Sequence, residues 1–258
     1  MEGSRSRGFR MIYPERFWLA LGFYTRLPCP PSLDYRQLPQ AAVFLPMVGW
    51  LVGALSGAAF YLAALLWPPT VAAVIALIAG IWITGAFHED GFADVCDGFG
   101  GGYGKERILA IMKDSAIGVY GTLGLMLLLL LKVGLLGSMD VRIAPWILLS
   151  GHSVSRLMPL LLMRRYRYAR TENSKSGGAM FMPRFADLSF AMAIALLPFV
   201  FLPAGCLLAA LPPVFSTLWL GRYFNRHIDG YTGDCLGACQ QVAEIVFYLG
   251  IGALWTSI

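Results

Sequence analysis

Long apolar runs alternate with short polar ones along this chain. A helix that crosses a bilayer needs about 17–25 mostly apolar residues. Seven stretches approach that length: 45–66, 71–87, 117–137, 144–163, 188–203, 205–221 and 236–257. The fifth and sixth are short, and Pro198, Pro203, Pro212 and Pro213 interrupt them, because proline removes a helix hydrogen bond. Residues 12–27, IYPERFWLALGFYTRL, mix aromatics with Arg16 and Arg26. That pattern suits a helix lying in the membrane interface better than a short span. The expected fold is all-α: a polytopic integral membrane helical bundle of about seven transmembrane helices plus the interfacial helix. A single membrane-embedded domain over residues 1–258 is expected.

Composition agrees with the pattern. The chain is 57% hydrophobic and only 14% charged, against roughly 45–50% and 25% in soluble domains. Seventeen of the 20 Lys and Arg residues fall before the first span or between spans two and three, four and five, and six and seven. All these segments lie on one side of the membrane, which the positive-inside rule makes the cytoplasm. The opposite connections, WPPT and SMDVRI, carry only Arg142. The N-terminus is therefore expected inside. The net charge of +5 follows from this arrangement and needs no nucleic-acid partner. Lys132, after LMLLLLL near the outer end of the third span, is expected to snorkel to the surface. The five cysteines are odd in number and include no CxxC, so no disulfide framework is expected; Cys235 and Cys239 read as helix-packing residues. No uninterrupted apolar core follows the basic start MEGSRSRGFRMIYPERFW, so a cleaved signal peptide is not expected.

One stretch does not suit a membrane edge. HEDGFADVCDGFGGG, residues 88–102, places Glu89, Asp90, Asp94 and Asp97 directly after an apolar run. If the second helix continued through residue 97, Asp90, Asp94 and Asp97 would share an arc of about 60°, with Glu89 to one side. Acids also carry the wrong sign for a helix C-terminus. A hard divalent cation with oxygen ligands is the natural neutraliser, and Mg2+ leaves positions for substrate phosphate. Gly98, Gly100, Gly101, Gly102 and Gly104 then let the backbone approach a ligand closely. Lys105, Arg107 and Lys113 add positive charge, followed by Asp114 and Ser115. A Gly-rich turn with cations opposite carboxylates is the composition of a site for a metal-bound phosphate.

HEDGFADVCDGFGGG with RILAIMKDSAIGVYG resembles the cobalamin synthase family, the adenosylcobinamide-GDP ribazoletransferases. LGFYTRLPCP near the start and DGYTGDCLGACQQVAE near the end are similar to the same family, so the resemblance runs from about residue 19 to 244. It implies a Mg2+-dependent, multi-pass enzyme of the bacterial inner membrane. Such an enzyme joins adenosylcobinamide-GDP to alpha-ribazole, or its 5′-phosphate, and releases GMP. The stretch Asp94-x2-Asp97-Gly98 also looks like the opening of the CDP-alcohol phosphotransferase pattern. The Ala-Arg pair expected next is Gly101-Gly102 here, and that family's last two aspartates are not both present, which disfavours a phospholipid synthase.

On this basis Asp90, Asp94, Asp97 and Asp114 are expected to hold one or two Mg2+ ions. Glu89, Asp114 or His88 is expected to take the proton of the attacking hydroxyl. Gly101, Gly102, Lys105, Arg107, Lys113 and Ser115 are the expected substrate contacts, and the resemblance adds Asp229 and Asp234. His152 and Arg156 in the fourth span either bind phosphate from the bundle side or form an internal pair with an aspartate. RRYRYARTENSKSGGAM supplies topology charge or touches the substrate, and Ser174–Gly178 gives only a weak signal for an anion-binding turn. Gly233 and Gly237 give a GxxxG spacing for close helix contact. The expected partners are the two substrates and the lipid bilayer; a homo-oligomer is left open. The rival reading is a divalent-cation transporter, whose site would sit at the midplane between repeated halves. No internal repeat is visible here.

Overall fold

Proline opens and glycine closes several helices of this protein, as their backbone preferences require. The computed structural model describes residues 12–170 and 181–255, and among these every regular element is helical. Helix α1 spans Ile12–Tyr24, and the short α2 (Leu38–Ala41) leads through a tight turn into α3 (Leu45–Ala64). Next come α4 (Pro69–Thr84), α5 (Phe87–Gly101), α6 (Lys105–Ile111) and α7 (Val119–Gly137). The last four are α8 (Ala144–Arg165), α9 (Phe185–Leu196), α10 (Leu211–Ile228) and α11 (Gly233–Trp255). Between α9 and α10 the chain tightens into 3₁₀ turns at Leu197–Phe201 and Ala204–Ala210, where Pro198 and Pro203 fall.

Five helical runs are long and apolar enough to cross a membrane: Tyr35–Ala64, Val119–Gly137, Ala144–Arg165, Ala204–Ile228 and Gly233–Leu254. The pair α4–α5 makes a sixth if it is one broken span, while Phe185–Phe201 is a shorter apolar helix. The multi-pass all-α reading stands. Among the described residues the helix lengths give five or six full crossings rather than seven.

The second span differs from its expected form. Rather than running on as one helix to residue 97, the chain bends by 93° between α4 and α5. Gly85 (φ +66°) and Ala86 (φ +61°) are both left-handed, and both their N–H groups turn back to the carbonyl of Ile81. This is a helix C-terminal stop. The chain leaving α1 props it: Arg26 N–H donates to Ile83 O at 2.8 Å, and the Arg26 guanidinium lies where a Gly85 side chain would be.

Close packing holds α8 in place. Gly49, Gly53 and Gly57 form one stripe of α3, and a methyl on any of them would strike the α8 backbone at His152, Leu149 or Pro145. Small residues at this four-residue spacing let two membrane helices touch backbone to backbone. The consequence is that almost all of α8 from Ala144 to Leu160 is buried, including its polar residues. Helix α11 packs against α5, α8 and α10, and Cys235 and Cys239 are buried in that packing.

Candidate active site

Helix α5 shows different acids to different surroundings. Asp90 is exposed and Asp94 is half-buried. The charges acting on Asp94 are those of Asp234, Asp90, Arg170 and Asp97. Asp234 begins α11, where Thr232 Oγ1 donates to it at 3.2 Å and Arg170 Nη2 at 2.9 Å. The same Arg170 nitrogen reaches Met112 O at 3.4 Å, tying the loop after α8 to the end of α6. Helices α5 and α11 approach closely at Gly91, where a methyl would sit 3.0 Å from the Asp234 backbone. A methyl at Gly237 would likewise lie 3.2 Å from His88 O, the close contact foreseen from the GxxxG spacing. Gly233 touches nothing in this way.

The four aspartates expected on metal are not gathered into one group. Asp97 is 9% exposed and accepts from the N–H of Gly118 at 2.7 Å and of Gly121 at 2.8 Å. Its carboxylate caps α7, where the sign of the helix dipole favours an anion. Asp114 is exposed and accepts from Ala116 N–H at 3.1 Å in its own turn. Among the described residues, no three His, Cys, Asp or Glu side chains are arranged to hold a metal ion. That arrangement still fits Mg2+ in one form. The ion commonly takes one or two carboxylates and fills its other positions with water and substrate phosphate. Asp90 and Asp94 would supply two such hard oxygen donors, since neither side-chain carboxylate accepts a hydrogen bond among the described residues.

The other two candidates on this helix face inward. His88 is 4% exposed, with its ring stacked on Tyr24. Glu89 Oε1 accepts from Gln241 Nε2 at 3.0 Å, and Glu89 Oε2 is buried. Beyond Gln241 lies a buried set of charges. Lys132 is 2% exposed and does not snorkel. It donates at 2.7 Å to both Gln241 and Glu244. The reason is on α11: Glu244, itself 1% exposed, stands opposite and needs a cation. His152 Nδ1 lies 3.4 Å from Glu244 and 2.9 Å from Arg156, and Gln240 and Tyr248 also donate to Glu244. His152 and Arg156 therefore match the internal-pair alternative, with a glutamate where an aspartate was expected.

The remaining expected contacts lie on the exposed side. Lys105 pairs with Asp229 at 3.2 Å. Both border a cavity of about 450 Å³ with Tyr166, Arg167, Tyr168 and Tyr231. Arg107, Lys113, Ser115 and Gly101 are exposed, and Gly102 ends α5 with its N–H bonded to Gly98 O. An apolar cavity of about 360 Å³ opens beside His88, lined by Phe23, Tyr24, Phe87, Met163 and Leu236 among others. The Ser174–Gly178 turn lies outside the described residues. Sequence reasoning gave no pairing to Arg170 or Glu244. An acid inside the apolar run of α11 was the available signal for Glu244; Arg170 was one of several arginines in a row.

The cobalamin-5-phosphate synthase family model matches residues 16–252. The chain belongs to that family. Family membership makes it a transferase of cobalamin biosynthesis. Its relatives include the adenosylcobinamide-GDP ribazoletransferase of Shewanella amazonensis, 40% identical over 94% of this chain and 96% of that one. The enzyme of the same name from Ralstonia nicotianae is 41% identical over 93% and 95%. That of Leptospira interrogans is 40% identical over 95% and 97%. No solved structure matches. The matched region takes in both the acidic face and the buried charges.

Proposed function

We propose that this chain joins adenosylcobinamide-GDP to alpha-ribazole, or its 5′-phosphate, and releases GMP. The reaction runs at the cytoplasmic face of the bacterial inner membrane, with the N-terminus inside. Near-full-length identity of about 40% to three ribazoletransferases supports the reading. The single structural observation that carries it is the exposed acidic face of Asp90 and Asp94 beside the Arg170–Asp234 pair.

The ribazole hydroxyl oxygen attacks the phosphorus on the cobinamide side of the diphosphate. A new P–O bond forms, the bond to the bridging oxygen breaks, and GMP departs with that oxygen. The hydroxyl proton passes to a carboxylate; of the three expected bases, Asp114 is the one in the open. Little covalent work falls to the protein, so positioning and charge compensation carry the rate. Asp90 and Asp94 would hold Mg2+, which when bound offsets charge on the diphosphate. Lys105, Arg107, Lys113 and Arg170 offer cations around the phosphates. The apolar cavity beside His88 falls within the range of small-molecule pockets, about 300–1,000 Å³. It provides room for the flat apolar base of the ribazole next to the charged end.

The test is direct. Purified protein in detergent receives both substrates with Mg2+, and GMP and the corrinoid product are measured together. Equal amounts of the two products, abolished by a chelator and restored by Mg2+, are expected. Mg2+ flux into liposomes without GMP formation would favour the transporter instead.

A further inference from the structure

Glu89 and Asp90 are adjacent, yet they meet opposite surroundings. Asp90 is exposed. Glu89 reaches the buried charges through Gln241, and its Oε2 is out of contact with solvent and has no hydrogen-bond partner among the described residues. Arg156 Nε on α8 is in the same condition. Both residues border one cavity of about 10 Å³, together with Lys132, His152, Gln241 and Glu244. That is room for about one water molecule.

The formal charges explain why Glu89 is there. Lys132 and Arg156 are cations. Glu244 is an anion that already accepts from Lys132, Gln240 and Tyr248. With neutral histidines, these three leave one buried positive charge over. An unpaired buried charge is strongly destabilising. Glu89 is the fourth charge, and with it the set sums to zero. It sits three residues past the Gly85–Ala86 bend, on the helix that also carries Asp90 and Asp94.

We propose that Glu89 is a positioning residue: its carboxylate neutralises the Lys132–Glu244–Arg156 cluster and thereby fixes the rotation of α5 that points Asp90 and Asp94 outward. It does not touch the reacting atoms. The effect on catalysis rests on the transferase reading above; the effect on folding does not. Because Gln241 bonds both Glu89 and Lys132, a carboxylate moved from position 89 to position 241 stays at the same cavity. Relocation therefore separates a charge needed in the cluster from a carboxylate needed in the chemistry.

The experiment compares Glu89→Leu with the double variant Glu89→Leu/Gln241→Glu in the full chain in detergent. Melting temperature is read without substrate; GMP release and the Mg2+ concentration for half-maximal rate are read with it. Glu89→Leu should melt earlier, lose roughly tenfold or more in kcat, and need more Mg2+. The double variant should recover the native melting temperature and Mg2+ requirement, with kcat within about threefold of native. A double variant that melts like native but stays as slow as Glu89→Leu would place the Glu89 carboxylate in the chemistry and overturn the proposal. So would a native-like Glu89→Leu, or a double variant that fails to fold. If neither native protein nor variants release GMP, the melting temperatures alone still decide whether charge relocation restores the cluster.

Discussion

Two groups of charges lie a few residues apart in this protein and obey different rules. One, made of Lys132, Glu244, His152, Arg156 and Glu89, is sealed between α5, α7, α8 and α11. The other, made of Asp90, Asp94, Asp234 and Arg170, faces outward where α5, α6 and α11 meet. In the sealed group every charged side chain has at least one hydrogen-bond partner, with only Glu89 Oε2 and Arg156 Nε left over at the small cavity among the described residues, because lipid and packed side chains offer no substitute for water. In the open group the acids outnumber the cations, and the carboxylates of Asp90 and Asp94 have no hydrogen-bond or ion-pair partner among the described residues. The contrast teaches where to look for chemistry. A satisfied network holds helices in place, and an acidic face that the protein itself does not satisfy is suited to a ligand that brings positive charge.

The comparison is broken most severely by attacking the sealed group. Lys132→Met leaves Glu244 buried with its main cation gone, which should cost on the order of 3–5 kcal/mol. Thermal unfolding in detergent should show a large loss that added salt does not change, since buried pairs are screened little. A variant with native stability would mean that Glu244 finds its charge balance elsewhere. A smaller effect is expected at Asp97, which lies between the two groups in character. Asp97→Ala removes the cap of α7 and leaves two backbone N–H groups unsatisfied, at about 0.5–2 kcal/mol. Hydrogen exchange should show faster protons at Gly118 and Gly121, while amides in the middle of α7 stay protected. Unchanged exchange at both glycines would remove the cap from the account.

Much of this was legible in the chain. Apolar runs of bilayer length gave the helices, and the Asp90-x3-Asp94 spacing put two acids on one exposed face. The spacing of Gly233 and Gly237 marked where α11 meets α5, though only Gly237 makes the contact. The bend after Thr84 was not legible. Ala86 takes a left-handed conformation that its side chain does not favour, and the support comes from Arg26, far away in sequence. The role of Lys132 was hidden for the same reason. Its partner Glu244 is 112 residues distant, and a lone lysine near a span end reads as snorkelling until the facing helix is known. Asp97 shared the arc of Asp90 and Asp94, but helical spacing does not reveal that the start of α7 lies within hydrogen-bond reach of only one of the three.

The central claim is that the open acidic face does the chemistry without holding up the fold. Asp94→Asn keeps the side chain's shape and removes its charge, so GMP release and melting temperature measured on the same preparation test it most directly. The account predicts native melting with turnover lowered by about 10²–10³, the usual scale for losing a charge aimed at a reacting centre. Turnover within about twofold of native in the folded variant, far from that scale, would contradict it.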